Sequence, residues 1–124
     1  MKVFLVEDSP VLVGRLQAMI ASIPGAQLTG HAGTAQAAVQ AIRASPPDLV
    51  VLDLRLAQGS GFEVLRALAG LPGLAIYVLS NFSGTADRRA AARLGAAAFF
   101  DKTTEFESFA AALRARAACA SDQP

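Results

Sequence analysis

Short apolar runs alternate along the whole chain with segments of helical spacing. The runs are Val3–Val6, a weaker one at Gln27–Gly30, Leu49–Leu52, Ala75–Leu79 and Ala97–Phe100. They begin 22–26 residues apart, the length of a strand, a helix and two short loops. Leu49-Val50-Val51-Leu52 is too short for a buried helix and reads as a strand covered on both faces. Between the runs, Leu12, Leu16, Met19, Ile20 and Ile23 share one helical face. Ala35, Ala38, Val39 and Ile42 share another, and Phe106, Phe109, Ala110, Leu113 and Ala117 a third. Phe62–Leu71 and Thr85–Leu94 are also read as helices, with less regular stripes.

Punctuation agrees with this division. Ser9-Pro10 reads as an N-cap followed by proline at the first helical position. Pro24-Gly25 stops the first helix, and Pro46-Pro47 separates the second from the central strand. Gly59-Ser60-Gly61 belongs to the loop after Asp53, Pro72-Gly73 closes the third helix, and Thr104 with Glu107 predicts a capping box for the last. The order βαβαβαβαβα predicts an α/β fold, a doubly wound five-stranded parallel sheet in three αβα layers. The run around Leu28 is poor in apolar residues and suits one edge; Ala97–Phe100 suits the other. The three strong runs then lie inside, in the order 2-1-3-4-5. That order reverses between strands 1 and 3, where open α/β sheets place their sites.

Composition narrows the class. At 124 residues and 53% hydrophobic, the chain is expected to be one folded domain, residues 1–118, with a short polar tail at 119–124. Eleven basic residues nearly balance ten acidic ones, so neither direct nucleic-acid binding nor a membrane surface is expected. The lone cysteine, Cys119, fits a reducing compartment. The start meets Glu7 and Asp8 too soon for a signal peptide, and no apolar stretch reaches the roughly 18–20 residues of a membrane span. A soluble cytoplasmic protein is expected.

Candidate chemistry collects at the strand ends. Strand 1 ends in Glu7-Asp8 and strand 3 in Asp53, which the predicted order makes neighbours. Taken singly, the pair could be a helix N-terminus and Asp53 a loop acid. Three carboxylates in one crevice need a cation, since two charges about 4 Å apart repel by roughly 4 kcal/mol at an effective dielectric near 20. Hard oxygen donors suit Mg²⁺. Strand 4 ends in Ser80, either an anion-binding hydroxyl or a turn residue. Strand 5 leads to Asp101-Lys102, whose lysine is either solvated or a partner for Asp53.

Those residues resemble a response-regulator receiver domain of two-component signalling, from the first residue to about Ala118. The resemblance rests on Val6-Glu7-Asp8-Ser9, Leu52-Asp53 with Gly61 eight residues on, Leu79-Ser80, and Gly95-Ala96 leading to Phe99-Phe100-Asp101-Lys102. It implies a flavodoxin-like (βα)5 fold. It implies that Asp53 is the phosphoacceptor, that Asp8 binds Mg²⁺ directly, and that Glu7 binds it through water or as a second acid. The backbone carbonyl of Arg55 would complete the metal ligands, and Ser80 and Lys102 would each hold a phosphoryl oxygen. Phe99 would be the aromatic whose rotamer follows Ser80. Arg55 and Phe82 would flank the attacking water and set the phosphoryl lifetime. The partners implied are a sensor histidine kinase or phosphotransfer protein and a downstream target or output domain. A homodimer could form through the helix 4–strand 5–helix 5 face.

The chain departs from the family's common form at Thr103, where proline is usual, at Ala57, Ser60 and Phe99, and in Leu79-Ser80-Asn81-Phe82-Ser83, where a small residue usually follows the hydroxyl. None of these removes a reacting group. His31 reads as a loop or edge residue after strand 2. Arg88, Arg89 and Arg93, with Glu105 and Glu107, read first as a solvated face. The chain is expected to turn over no external substrate and to be a stand-alone regulator or a receiver excised from a longer protein. The alternatives are a phosphorylation-independent interaction module on the same fold and an enzyme such as a flavin protein or aspartate-based phosphatase. The placement of the acids argues against both enzymes.

Overall fold

A computed structural model describes residues 1–121. Its elements run β1 (Lys2–Val6), α1 (Pro10–Ala21), β2 (Gln27–Ala32), α2 (Ala35–Ala44), β3 (Leu49–Leu52), α3 (Gly61–Leu68), β4 (Ala75–Ser80), α4 (Thr85–Arg93), β5 (Ala98–Asp101) and α5 (Phe106–Ser121). The five strands form one sheet in the order β2-β1-β3-β4-β5, and every pairing is parallel. This is the expected doubly wound, flavodoxin-like arrangement.

The two-residue period of a strand distributes the core. Phe4, Val6, Val50, Leu52, Ile76 and Val78 point to one side of the sheet, against Ala38 and Ile42 of α2, Leu65 and Leu68 of α3, and Ala91 of α4. Val3, Leu5, Leu49, Val51, Tyr77 and Leu79 point to the other, against Leu16 and Ile20 of α1 and Phe109, Leu113 and Ala117 of α5. Burial on both faces is why β3 and β4 are continuous apolar runs rather than alternating ones.

Local signals set most boundaries. The Ser9 hydroxyl caps α1 by accepting the Leu12 N–H, with Pro10 opening the helix. Ser60 caps α3 in the same way through the Glu63 N–H. Four expectations need correction. Strand β2 continues past Gly30 to Ala32, held by the Glu7 N–H donating to the Ala32 carbonyl at 2.9 Å, so His31 lies within the edge strand. Helix α3 ends at Leu68, before Gly70, whose φ of 87° leaves the helical region. Helix α5 runs to Ser121, so residues 119–121 of the expected tail are helical, and 122–124 lie outside the described residues.

The capping box of Thr104 and Glu107 does not form. Asp101 instead ties the turn before α5: its Oδ1 accepts the N–H groups of Thr103 at 2.8 Å and Thr104 at 2.9 Å. The Glu105 carboxylate reaches back to the Asp101 N–H at 2.9 Å. The bonds are reciprocal, as in a capping box, but span four residues and close the turn between β5 and α5.

One glycine fixes the loop after β3. A Cβ on Gly61 would lie 2.4 Å from the Asp53 carbonyl oxygen and 2.7 Å from the Leu54 Cα, both backbone atoms. The Gly61 N–H donates to the Leu54 carbonyl at 2.8 Å, drawing the start of α3 against the end of β3. Gly14, inside α1, has open space around it. Gly61→Ala should therefore destabilise by about 1–3 kcal/mol through overpacking. Gly14→Ala should stabilise by about 0.5–1 kcal/mol through helix propensity. Denaturant unfolding of the two variants should give shifts of opposite sign.

Candidate functional site

The carboxyl ends of β1 and β3 bring the acids together. Val6 pairs with Leu52 in the sheet, and the Asp53 N–H continues the ladder to the Val6 carbonyl at 3.0 Å. Glu7 and Asp53 thus leave adjacent strands at the same level. Across the sheet, Ser80 pairs with Asp101, and the Lys102 N–H donates to the Ser80 carbonyl at 3.2 Å. This brings a lysine from the far edge back over the centre.

The Lys102 ammonium bridges two acids, with Nζ 2.8 Å from Glu7 Oε2 and 2.8 Å from Asp53 Oδ2. Both carboxylates are buried, Glu7 at 4% and Asp53 at 6% exposure, while Asp8 is exposed. The remaining oxygens also have backbone donors. Glu7 Oε1 accepts the Ser9 N–H at 3.0 Å, and Asp53 Oδ1 faces the Arg55 N–H at 3.4 Å. Ligand oxygens of Glu7, Asp8 and Asp53 lie within 4.8 Å of one another. The three form a cluster that could hold a metal ion, and an all-oxygen donor set fits a hard divalent cation.

Burial pushes the Glu7 carboxyl above its ordinary value; the hydrogen bonds from Lys102 and the Ser9 N–H oppose this without cancelling it, and the Asp53 charge adds to it. Burial alone would lower the Lys102 ammonium, but its bonds to Asp53 and Glu7, with their charges, hold it above the usual lysine value. The lysine is therefore a fixed cation at neutral pH.

A cavity of about 230 Å³ opens above these groups, lined by Glu7, Asp8, Ser9, Asp53, Arg55, Asn81, Phe82 and Lys102. A larger cleft, about 670 Å³, lies at the opposite end of the strands between Met1, Asp48, Tyr77 and α5 residues including Arg116, and it holds no acid cluster. Arg55 and Phe82 meet each other, the guanidinium carbon 4.6 Å from the ring centre. Phe82 is 42% exposed, so the pair forms an outer wall of the cavity.

Two expected site residues are placed elsewhere. Ser80 is fully buried and does not line the cavity; its hydroxyl accepts the Phe82 N–H at 3.1 Å. Phe99 is half-buried against the core on the α2, α3 and α4 side, beneath the Arg88 guanidinium at 4.9 Å.

A polar network beside the site escaped sequence reasoning. Ser83 donates to Asp101 Oδ2 at 2.5 Å, and the Thr103 hydroxyl donates to Asn81 Oδ1 at 3.2 Å. Arg88 donates through Nε to the Ser83 carbonyl at 3.0 Å and pairs with the Glu105 carboxylate. Arg88 and Glu105 are thus half-buried ties between α4 and the turn before α5, rather than members of a solvated face. Only the four-residue spacing of Asp101 and Glu105 hinted at this. The tie to Ser83 depends on loop geometry that no local pattern encodes.

Comparison with known proteins agrees with this geometry. The sequence profile of the response regulator receiver domain matches residues 3–114. The chain is 35% identical over 83 residues to the DNA-binding transcriptional activator DevR/DosR of Mycobacterium tuberculosis, covering 66% of this chain and 38% of that protein. It is 30% identical over 82 residues to a protein-glutamate methylesterase/protein-glutamine glutaminase of Agrobacterium fabrum, covering 66% of this chain and 23% of that protein. This chain therefore matches less than half the length of either relative. The response regulator domain of Thermotoga maritima CheB superposes with a TM-score of 0.83 at 24% identity, covering 100% of this chain and 98% of that one, which is a likeness of fold. With the profile matching nearly the whole described fold, and the acids and lysine gathered at its switch point, the chain belongs to the response regulator receiver domain family.

Proposed function

We propose that Asp53 is the phosphoacceptor of a two-component or phosphorelay system. The observation that carries this reading is the Lys102 ammonium bridging Glu7 and Asp53 at 2.8 Å, with Asp8 within reach of both acids. An Asp53 oxygen would attack the phosphorus of a phosphohistidine on a kinase or phosphotransfer protein. The phosphorus–nitrogen bond breaks as the phosphorus–oxygen bond forms, and the product is an acyl phosphate. Charge on the equatorial oxygens would be met by Lys102, already fixed at the site. Glu7, Asp8, Asp53 and the Arg55 carbonyl would hold Mg²⁺, which supplies charge neutralisation to the phosphoryl oxygens.

The buried Ser80 hydroxyl would bind a phosphoryl oxygen after leaving the Phe82 N–H. Phe99 would follow it, altering the surface of α4, β5 and α5 that a target or a second copy reads. The domain would catalyse only its own phosphorylation and dephosphorylation. Balanced charge gives it no nucleic-acid footprint of its own, although one of its relatives is DNA-binding. Among the described residues no helix is long and apolar enough to cross a membrane, which supports a cytoplasmic setting.

Incubation with Mg²⁺ and acetyl phosphate should add one phosphate to the intact mass of the wild type and none to Asp53→Asn. Absence of a gain in the wild type would favour an interaction module that works without phosphorylation. The Arg55–Phe82 wall should slow hydrolysis by restricting water. Phe82→Ala and Arg55→Ala should then each raise the dephosphorylation rate, and an unchanged or slower rate in Phe82→Ala would remove that role. If the α4, β5 and α5 surface serves dimerisation, phosphorylation should raise the mass measured by light scattering.

A further inference from the structure

The turn that carries Lys102 lacks intrinsic stiffness. It reads Asp101-Lys102-Thr103-Thr104, with no proline to fix a backbone angle. Lys102 must nevertheless be aimed at two carboxylates in another part of the sheet. Beyond two backbone bonds, from the Lys102 N–H to the Ser80 carbonyl and from the Glu105 N–H to the Asp101 carbonyl, side chains hold the turn. Asp101 is bound on both carboxylate oxygens, Oδ1 taking the N–H groups of Thr103 and Thr104 and Oδ2 the Ser83 hydroxyl. Its own N–H is held by Glu105, which Arg88 holds in turn. Thr103 adds a second tie, to Asn81. The lysine thus sits between a residue anchored to the β4–α4 loop and a residue anchored to the same loop.

We infer that Asp101 is a positioning residue for Lys102: it clamps the turn between β5 and α5 to the loop after β4, so that the ammonium stays on Glu7 and Asp53. The three groups that meet its carboxylate are all donors. The Ser83 hydroxyl, followed by the N–H groups of Thr104 and Thr103, holds its carboxyl down at about 2, so it is ionised in any neutral buffer. Asparagine preserves the essential geometry, because its amide oxygen still accepts both N–H groups and its amide can donate to Ser83. Alanine removes all three bonds.

Lysine labelling tests this without any phosphorylation. The chain has two lysines, Lys2 and Lys102, and Lys2 is exposed. Brief acylation in Mg²⁺-free buffer, read by peptide mass spectrometry, therefore carries an internal reference. Lys102 should be protected relative to Lys2 in the wild type and in Asp101→Asn. Its labelling should rise severalfold in Asp101→Ala and by a smaller factor in Ser83→Ala, which loses one bond and keeps the test open if the alanine variant unfolds. Equal protection of Lys102 in folded Asp101→Ala, or in Ser83→Ala where that variant unfolds, would overturn the inference.

The inference rests on the phosphoacceptor reading only for its catalytic consequence. Where the wild type takes up phosphate, Asp101→Ala should slow uptake from acetyl phosphate by about tenfold to a hundredfold, the cost of a misplaced catalytic group. Mg²⁺ affinity should not fall, since Glu7, Asp8 and Asp53 are untouched and an ammonium displaced from two of them leaves more negative charge for the cation. In a Lys102→Ala background the Asp101→Ala loss should vanish, whereas a general structural defect would persist and add to it. A wild type that takes no phosphate counts against the proposed function, while the labelling result still decides the positioning role.

Discussion

Three acids converge where the sheet changes direction, and one ammonium makes that arrangement tolerable. Two of the carboxylates are nearly excluded from solvent, and burial of like charges is costly without a counterion. Lys102 supplies the counterion through paired 2.8 Å contacts. Glu7 is still held above its ordinary value, chiefly by its burial, with the Asp53 charge adding to it. Oxygens of Glu7, Asp8 and Asp53 within 4.8 Å of one another make the cluster one that could hold a cation.

Sheet topology creates this pressure and also contains it. Parallel strands in the order β2-β1-β3-β4-β5 send β1 and β3 side by side with their loops diverging to opposite faces. A crevice is left at the carboxyl ends, and the residues that follow each strand line it. Gly61 brings the start of α3 into backbone contact with Asp53 and Leu54, which no side chain would allow. Backbone donors from Ser9 and Arg55 then orient the acid oxygens. Rigid strands, one glycine and a few N–H groups thus fix the acids before any ligand arrives, and preorganisation of this kind favours charge-dependent chemistry.

Much of this was legible from residue order. Runs such as Leu49–Leu52 and Ala75–Leu79 name their strands because both faces of the sheet are covered. The weak run at Leu28 marks an edge because it could not fill a buried slot. Once strand order is known, Glu7 and Asp53 fall at the ends of adjacent strands, and Lys102 follows a strand that ends on the same side of the sheet. Cooperative features were not legible. Thr104 and Glu107 have the spacing of a capping box, but the reciprocal bonds form between Asp101 and Glu105 in the turn before the helix, with an acceptor that is charged. Arg88 looked solvated because its partners, Ser83, Phe99 and Glu105, lie on three different segments. Ser80 ends its strand as expected, yet its hydroxyl is turned to the Phe82 N–H, since a buried oxygen takes the nearest donor.

The same residues tie the site to its surroundings. Phe82 donates its N–H to Ser80 and offers its ring to Arg55, so one residue touches both a buried hydroxyl and the outer wall of the cavity. Arg88 lies on Phe99, reaches the Ser83 carbonyl and pairs with Glu105. A displacement of Ser80 would have to break the first bond, and a displacement of Phe99 would have to disturb the second set. Exposed cation–π contacts and single hydrogen bonds are each worth only about 0.5–1.5 kcal/mol. Ties of that size can hold one arrangement, and under the proposed phosphorylation they would yield when a doubly charged group arrives beside Lys102. Stiffness is concentrated in the sheet that carries the acids, and weak, separable contacts lie in the loops around it. On the proposed phosphoacceptor reading, that division would let a local change in charge alter a surface without unsettling the fold.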